Sequence, residues 1–232
     1  MKRVAVIQSN YIPWKGYFDI IHEVDLFIFY DDVQYSKNDW RNRNKIKTAQ
    51  GLHWLTIPVG SPDHRLICEI EPANDWWPRK HWATIQQSYG RSPHFLRYRS
   101  FFEHFYLAAK WTNLSELNQF LIKTISMDFL GIRTEFRDSR EFCPTGIKAD
   151  RLLDLLRKAG ATSYLSGPSA KDYLDEQDFV GAGIELVYKD YSGYPEYVQQ
   201  FPPFVHSVSV IDLLFNCGPE SPDFIWGWRT RA

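Results

Sequence analysis

The chain has 232 residues, 44% hydrophobic and 24% charged, with 27 Lys+Arg against 28 Asp+Glu for a formal net charge of -1. That balance describes a folded globular chain and excludes disorder, collagen and coiled coil; the near-zero charge provides no global field to attract nucleic acid or an anionic membrane, so any anion site must be local. The unusual quantity is an aromatic share of 16%, from 9 Trp, 13 Tyr and 16 Phe.

The N-terminal Met-Lys-Arg-Val-Ala-Val-Ile-Gln turns polar after four apolar residues, too short for a signal-peptide core. No apolar run approaches the ~20 residues of a membrane span, so a cytoplasmic protein is expected. Cys68, Cys143 and Cys217 form no CxxC pair, which fits a reducing compartment and argues against structural zinc. Cys217 reads as a buried, inert thiol rather than a nucleophile.

In chain order, residues 3–8 read as a strand buried on both faces, the first of an α/β sheet. A helix starts near Pro13, with Trp14, Tyr17, Phe18 and Ile21 at helical spacing, and a second apolar run over 26–30 stops at Asp31-Asp32. Strand, loop, helix and strand within this length make a βαβ unit, so the two strands should be parallel neighbours with a right-handed crossover. Residues 52–59 read as another strand, with Pro58 at its edge or end. Helices are expected over 78–89, 93–110 and 113–131, the last opened by a capping box of Asn113 and Glu116 and closed by Gly131. Three helices without an intervening strand make residues 78–131 a helical insertion. The alternation resumes with a strand at 134–137, a helix at 149–159 stopped by Gly160, a strand at 162–165, a short helix at 173–180 and a strand at 184–188. A Pro- and aromatic-rich stretch over 191–204 precedes a helix at 207–215. The expected architecture is one α/β domain, a Rossmann-like, mostly parallel sheet with flanking helices and that insertion.

Open parallel sheets bind ligands beyond the carboxyl ends of their strands, which places 8–14 and 31–35 on one rim. The densest polar stretch is 31–47. Asp31 and Asp32 are candidates to act as a base or to bind Mg²⁺, and Gln34, Arg41, Asn42, Arg43 and Lys45 suit recognition of a diphosphate, with Trp40 for stacking. A solvated charged loop satisfies the same composition. Rings among cations also suit single-stranded nucleic acid, but the neutral net charge disfavours it. From the first loop Gln8, Asn10, Tyr11 and Trp14 are candidate substrate contacts. This loop is similar in position to that of nucleotidylyl-transferase and pantothenate-synthetase type enzymes, yet Trp14 and Tyr17 stand where those have histidines. His81, near a helix start with Gln86 and Tyr89 close to the same face, is the candidate acid or base, against the alternative of a hydrogen-bonded histidine without a chemical role. His206 and His22 come second. No His/Cys cluster supports a transition-metal site. Ser166 and Lys171, in a glycine turn between strand and helix, could cradle an anion or simply cap the helix.

The chain resembles the WbqC-like family. The resemblance rests on Ala5-Val6-Ile7-Gln8 with Tyr11-Ile12-Pro13-Trp14-Lys15-Gly16-Tyr17-Phe18, Asp31-Asp32-Val33-Gln34-Tyr35, Trp40-Arg41-Asn42-Arg43-Asn44, Trp54-Leu55-Thr56-Ile57-Pro58-Val59, Lys80-His81-Trp82, Tyr164-Leu165-Ser166-Gly167-Pro168 and the block from Ser209 to Gly218. It implies a role in bacterial surface-polysaccharide synthesis of the O-antigen type, with transfer of a glycyl or related acyl group to an amino sugar. On that expectation Arg41, Arg43 and Lys45 hold the diphosphate of a nucleotide-linked sugar, and Trp14 or Trp40 stacks on base or sugar. Asp31, Asp32 or His81 deprotonates the attacking amine. An acyl donor, or ATP with Mg²⁺ to activate one, is the candidate cofactor. The expected partner is this small molecule, not nucleic acid, and a homo-oligomer is left open. The alternatives are a nucleotidyltransferase or adenylate-forming enzyme on a HUP-like fold, and a non-catalytic sugar-nucleotide binding protein.

Overall fold

A computed structural model describes residues 1–60 and 64–230. Its first unit is β1 (Arg3–Ile7), α1 (Lys15–His22) and β2 (Leu26–Phe29). The two strands are parallel, Val4 opposite Leu26 and Ile7 opposite Phe29. Both are covered on both faces: Ala5, Phe27 and Phe29 enter the larger of two cores, Val4, Val6, Leu26 and Ile28 the smaller. Double coverage is why these strands read as continuous apolar runs rather than as alternation.

The next two strands, β3 (Arg43–Thr48) and β4 (Gly51–Thr56), pair antiparallel as a separate ribbon, with Lys45 opposite Trp54 and Ile46 opposite His53. This corrects the expectation of a charged loop followed by one strand over 52–59. The half-buried Arg43 and Lys45 alternate with the buried Asn44 and Ile46, and Lys47 beyond them is buried as well, so the period of two was carried by cations rather than by apolar residues. Pro58 lies two residues beyond the end of β4.

Three helices follow, α2 (Trp77–Tyr89), α3 (Phe95–Glu103) and α4 (Leu114–Thr124). The Asn113 side chain accepts a 3.1 Å bond from the Glu116 N–H at the start of α4. Both α3 and α4 run on into a π-helical turn, His104–Ala108 and Ile125–Phe129, the second reaching Leu130 and then Gly131 at φ 69°. Trp82, Ile85, Phe102 and Leu117 join the same core as Phe27 and Phe29.

The chain then returns through β5 (Glu135–Asp138), α5 (Lys148–Lys158), β6 (Ser163–Ser166), α6 (Glu176–Gly181), β7 (Glu185–Tyr188) and α7 (Val210–Cys217). The short helix expected near 173–180 is α6, which starts later, after a 3-10 turn at Pro168–Asp172, because Asp175 accepts from the Gln177 N–H and caps the helix there. Likewise Ser209 caps α7, so that helix begins later than residue 207. Leu152, Leu155 and Leu156 of α5 and Phe179 of α6 close the smaller core.

The five strands of the main sheet run in the order β5-β2-β1-β6-β7, every adjacent pair parallel. This is a Rossmann-like α/β arrangement. The chain moves outward from β1 through β2 to β5, then starts again on the other side with β6, so the order reverses beside β1. The crevice beyond the carboxyl ends at such a reversal is where an open α/β sheet binds ligands. No helix among the described residues is long and apolar enough to cross a membrane.

Candidate functional site

Beyond the carboxyl end of β1, residues 8–14 meet the segment leading into the ribbon. The Tyr11 N–H donates to the Trp40 carbonyl (3.0 Å), and the Asn44 amide donates to the carbonyls of Tyr11 (3.1 Å) and Ile12 (2.9 Å). Ile12 has a φ of 37°, a left-handed conformation that β-branched residues avoid. The paired bonds from Asn44 hold the loop through that turn. The start of α7 closes the third side, the Val210 N–H donating to Pro13 O and the Ser209 N–H to Lys45 O, each at 2.8 Å.

Between these segments lies a pocket of about 200 Å³ lined by Asn10, Pro13, Trp14, Trp40, Asn44 and Ser207. Two indoles and a proline supply apolar walls, and two amides and a hydroxyl supply polarity. The Trp14 ring packs edge-on against Tyr191 (5.0 Å between centroids) and Tyr194 (6.1 Å). It can lie there because Gly16 has no side chain: a Cβ at that position would sit 2.7 Å from Cε2 of the indole and closer still to two other ring atoms. Gly16→Ala is therefore expected to drive the Trp14 ring out of its place. It should destabilise the fold by about 1–3 kcal/mol, the usual cost of overpacking, although replacing a helical glycine by alanine ordinarily stabilises. Urea unfolding and a crystal structure of the variant check both parts.

At the mouth, Trp40 and Trp54 lie 5.5 Å apart between ring centroids. The Arg43 guanidinium sits 4.4 Å from the Trp54 ring, and the Lys45 ammonium lies 4.9 Å from Trp54 and 5.9 Å from Trp40. Neither cation makes an ion pair with a carboxylate among the described residues; Arg43 donates only to the Asn38 side chain and carbonyl. Arg41 is held differently: its guanidinium donates to the side-chain oxygens of Asn10 and Gln8, and lies 3.5 Å from Asp39. Gln8, Asn10, Trp14, Trp40, Arg41, Arg43 and Lys45 are thus brought together, whereas the Tyr11 side chain, expected as a substrate contact, is fully buried in the larger core with its hydroxyl between His81 and Tyr106. Asn42 is buried, its amide donating to Ile57 O at 2.7 Å.

The other candidates stand apart from the pocket. Asp31 and Asp32 follow a strand, where successive side chains point to opposite faces. The buried Asp31 carboxylate accepts from the Ser9 N–H (2.8 Å), the Ser115 hydroxyl and the Gln119 amide (3.1 Å). Asp32 accepts from the Ser139 hydroxyl (2.5 Å) and pairs with Arg151 at 2.6 Å. The adjacent carboxylates therefore diverge. Gln34 is exposed and forms a backbone bridge with Leu66. Ser166 is buried at the end of β6, and the Lys171 ammonium lies 5.0 Å over the Tyr188 ring; neither lines the indole pocket.

His81 is buried, and both ring nitrogens are engaged. Nδ1 lies 2.9 Å from the Tyr11 hydroxyl and Nε2 3.2 Å from the Thr56 carbonyl. A carbonyl only accepts, so Nε2 carries the proton and Nδ1 accepts from Tyr11, whose oxygen in turn accepts from the Tyr106 hydroxyl at 2.6 Å. Burial pushes the imidazole down to about 4, the bond to Thr56 opposing. At neutral pH it is an uncharged brace between the first loop, the ribbon and α2. His22 stacks on Trp226 and His206 packs edge-on against Phe204. Burial raises the Cys217 thiol to about 12, which keeps it protonated and weakly nucleophilic.

Sequence reasoning passed over Trp54, Asn44 and Ser207 as site residues. Trp54 had a signal: it stands opposite Lys45 once the ribbon is recognised. Ser207 had none, since only the fold brings it to the first loop.

The profile of the WbqC-like protein family matches residues 8–224. The chain is also 45% identical over 227 residues, 97% of its own length and 98% of the relative's, to "Uncharacterized protein Rv1507c" of Mycobacterium tuberculosis. No solved structure matches it. A profile that spans all but the ends, carrying the pocket loops and α7 alike, means that the chain belongs to the WbqC-like protein family.

Proposed function

We propose that this protein is a transferase of bacterial surface-polysaccharide synthesis of the O-antigen type, which N-acylates or aminoacylates, as in glycyl transfer, the amine of a nucleotide-linked amino sugar. The observation that carries the reading is the juxtaposition of a two-indole pocket with two cations, Arg43 and Lys45, that have no carboxylate partner among the described residues. A ring of the ligand enters between Trp14 and Trp40. Its diphosphate lies along Arg43 and Lys45, and Arg41, fixed by Gln8 and Asn10, faces the same ligand. Asn10, Asn44 and Ser207 orient the ring through its polar substituents.

In the reaction the amine nitrogen bonds to the acyl carbon, the donor's leaving group departs with its electron pair, and the amine gives up a proton. None of the six pocket-lining side chains is titratable. In this reading the proton leaves to solvent or to the departing group, and His81, Asp31 and Asp32 hold the loops in place. ATP with Mg²⁺ would serve to activate the acyl donor.

The same lack of a titratable lining group favours one second reading, a non-catalytic sugar-nucleotide binding protein. Mass spectrometry decides between them, using a panel of nucleotide-linked amino sugars incubated with the protein, with and without ATP, amino acids and acyl donors. A sugar nucleotide heavier by one acyl group supports the transferase; tight binding with no new mass supports the binder. Under both readings Trp40→Ala and Lys45→Ala should each weaken binding of the sugar nucleotide roughly tenfold or more, as expected when a stacked ring or an ionic contact worth about 1–3 kcal/mol is removed. Titration calorimetry that finds wild-type affinity in both variants would place the ligand elsewhere.

A further inference from the structure

A second cleft, of about 390 Å³, opens between the tip of the ribbon and α2. It does not touch the indole pocket, and its chemistry differs. Thr48, Gln50 and His53 line it from the ribbon, Lys80, Thr84 and Gln87 from the helix. Among the described residues, Lys80 and His53 are the only ionisable groups in the lining, and no carboxylate joins them. The Lys80 ammonium lies 5.5 Å over the Trp76 ring and makes no ion pair among the described residues.

The hydroxyls define what a ligand must offer. Thr84 donates its proton to Lys80 O (2.9 Å), Ser88 to Thr84 O (2.8 Å) and Thr48 to Gly51 O (3.0 Å). A hydroxyl has one proton and two lone pairs, so all three have spent their donor and remain acceptors, Thr48 with one lone pair already taken by the Gln50 N–H at 3.2 Å. They call for a ligand rich in O–H donors. The amides of Gln50 and Gln87 can both give and take, while Lys80 and His53 answer a negative charge. Leu52 and Phe201 complete the wall with apolar surface, which suits the C–H face of a saturated ring.

We propose that this cleft binds an anionic sugar, a hydroxylated ring carrying one phosphate or one carboxylate, at a site separate from the indole pocket and independent of the function assigned to it. Both sources of charge meet the same Lys80, so the probes must distinguish them.

The test is an amide-resolved NMR titration of the full chain with glucose 6-phosphate, glucuronate, glucose and inorganic phosphate. At least one of the two charged sugars should bind roughly tenfold or more tighter than both glucose and phosphate, with shifts centred on residues 48–53 and 80–88. Preference for glucose 6-phosphate identifies the phosphate, preference for glucuronate the carboxylate. Lys80→Ala, at an exposed helix position, should cost about tenfold in affinity, His53→Gln should weaken binding in the same sense, and Trp40→Ala, which alters the indole pocket, should leave the affinity of this cleft for the charged sugars as it is in the wild type. The proposal is overturned if the charged sugars bind no better than glucose or phosphate, if Lys80→Ala binds like wild type, or if Trp40→Ala abolishes the shifts.

Discussion

Replacing Asp31 by alanine should destabilise the protein by about 2–5 kcal/mol, because it strands two buried donors, the Ser9 N–H and the Ser115 hydroxyl, and takes one acceptor from the half-buried Gln119 amide, which keeps Asp138. The Ser9 N–H, the Ser115 hydroxyl and the Gln119 amide all converge on this carboxylate, and Asp31 and Ser9 are fully buried. These bonds tie the end of β2 to the first loop and to α4, so the loss falls on the elements that frame the pocket. Asp31→Asn should cost about 1–3 kcal/mol: it keeps an acceptor for Ser9 but turns a donor toward Ser115 and Gln119. Urea unfolding of both variants measures the effect. The isosteric variant also separates the two roles open to this residue. If Asp31 is a brace, folded Asp31→Asn protein binds ligand as wild type does. A folded Asp31→Asn protein with intact binding and no turnover would instead make the carboxylate a participant in the chemistry.

That distinction marks where the sequence stops being informative. The βαβ start, the three consecutive helices and the βα alternation after residue 134 were legible because apolar period and turn residues are local signals. The parallel pairing of β1 with β2 followed from the length between them. The ribbon was not legible, since Arg43 and Lys45 conceal the alternation that buries Asn44 and Ile46, and the buried Lys47 looks like one more surface cation. The site divided in the same way. Gln8, Asn10, Trp14, Trp40 and Arg41 lie on loops that strand topology brings to one rim, Lys45 lies on the adjoining β3, and they do meet. Asp31, Asp32 and His81 were chosen for their chemical type, and type is silent about partners: a carboxylate beside Arg151 and an imidazole between Tyr11 and Thr56 look, as letters, like free groups. Ser207 joins the pocket only because α7 packs back on the first loop, a contact some two hundred residues apart in sequence.

The His81 brace carries a pH dependence whose sign is fixed by its burial. The folded imidazole titrates at about 4, below its ordinary 6.5, so between these values the unfolded chain binds a proton that the folded chain does not. Stability contributed by this group is fully present above pH 6.5 and declines as pH falls toward 4, by about 3 kcal/mol in all. Other groups titrate in the same range; Asp212, pushed up by burial, contributes with the opposite sign. The clean measurement is therefore the difference between wild type and His81→Phe, which keeps a ring in the space but cannot take a proton. At pH 7 the variant should be the less stable, having left the Tyr11 hydroxyl and Thr56 carbonyl without their partner. As pH is lowered to 4 the gap should narrow by about 3 kcal/mol, because only the wild type is paying to keep a buried imidazole neutral. A gap independent of pH would mean that the imidazole is solvated and free to titrate, in which case His81 would return as a candidate for moving the proton of the attacking amine.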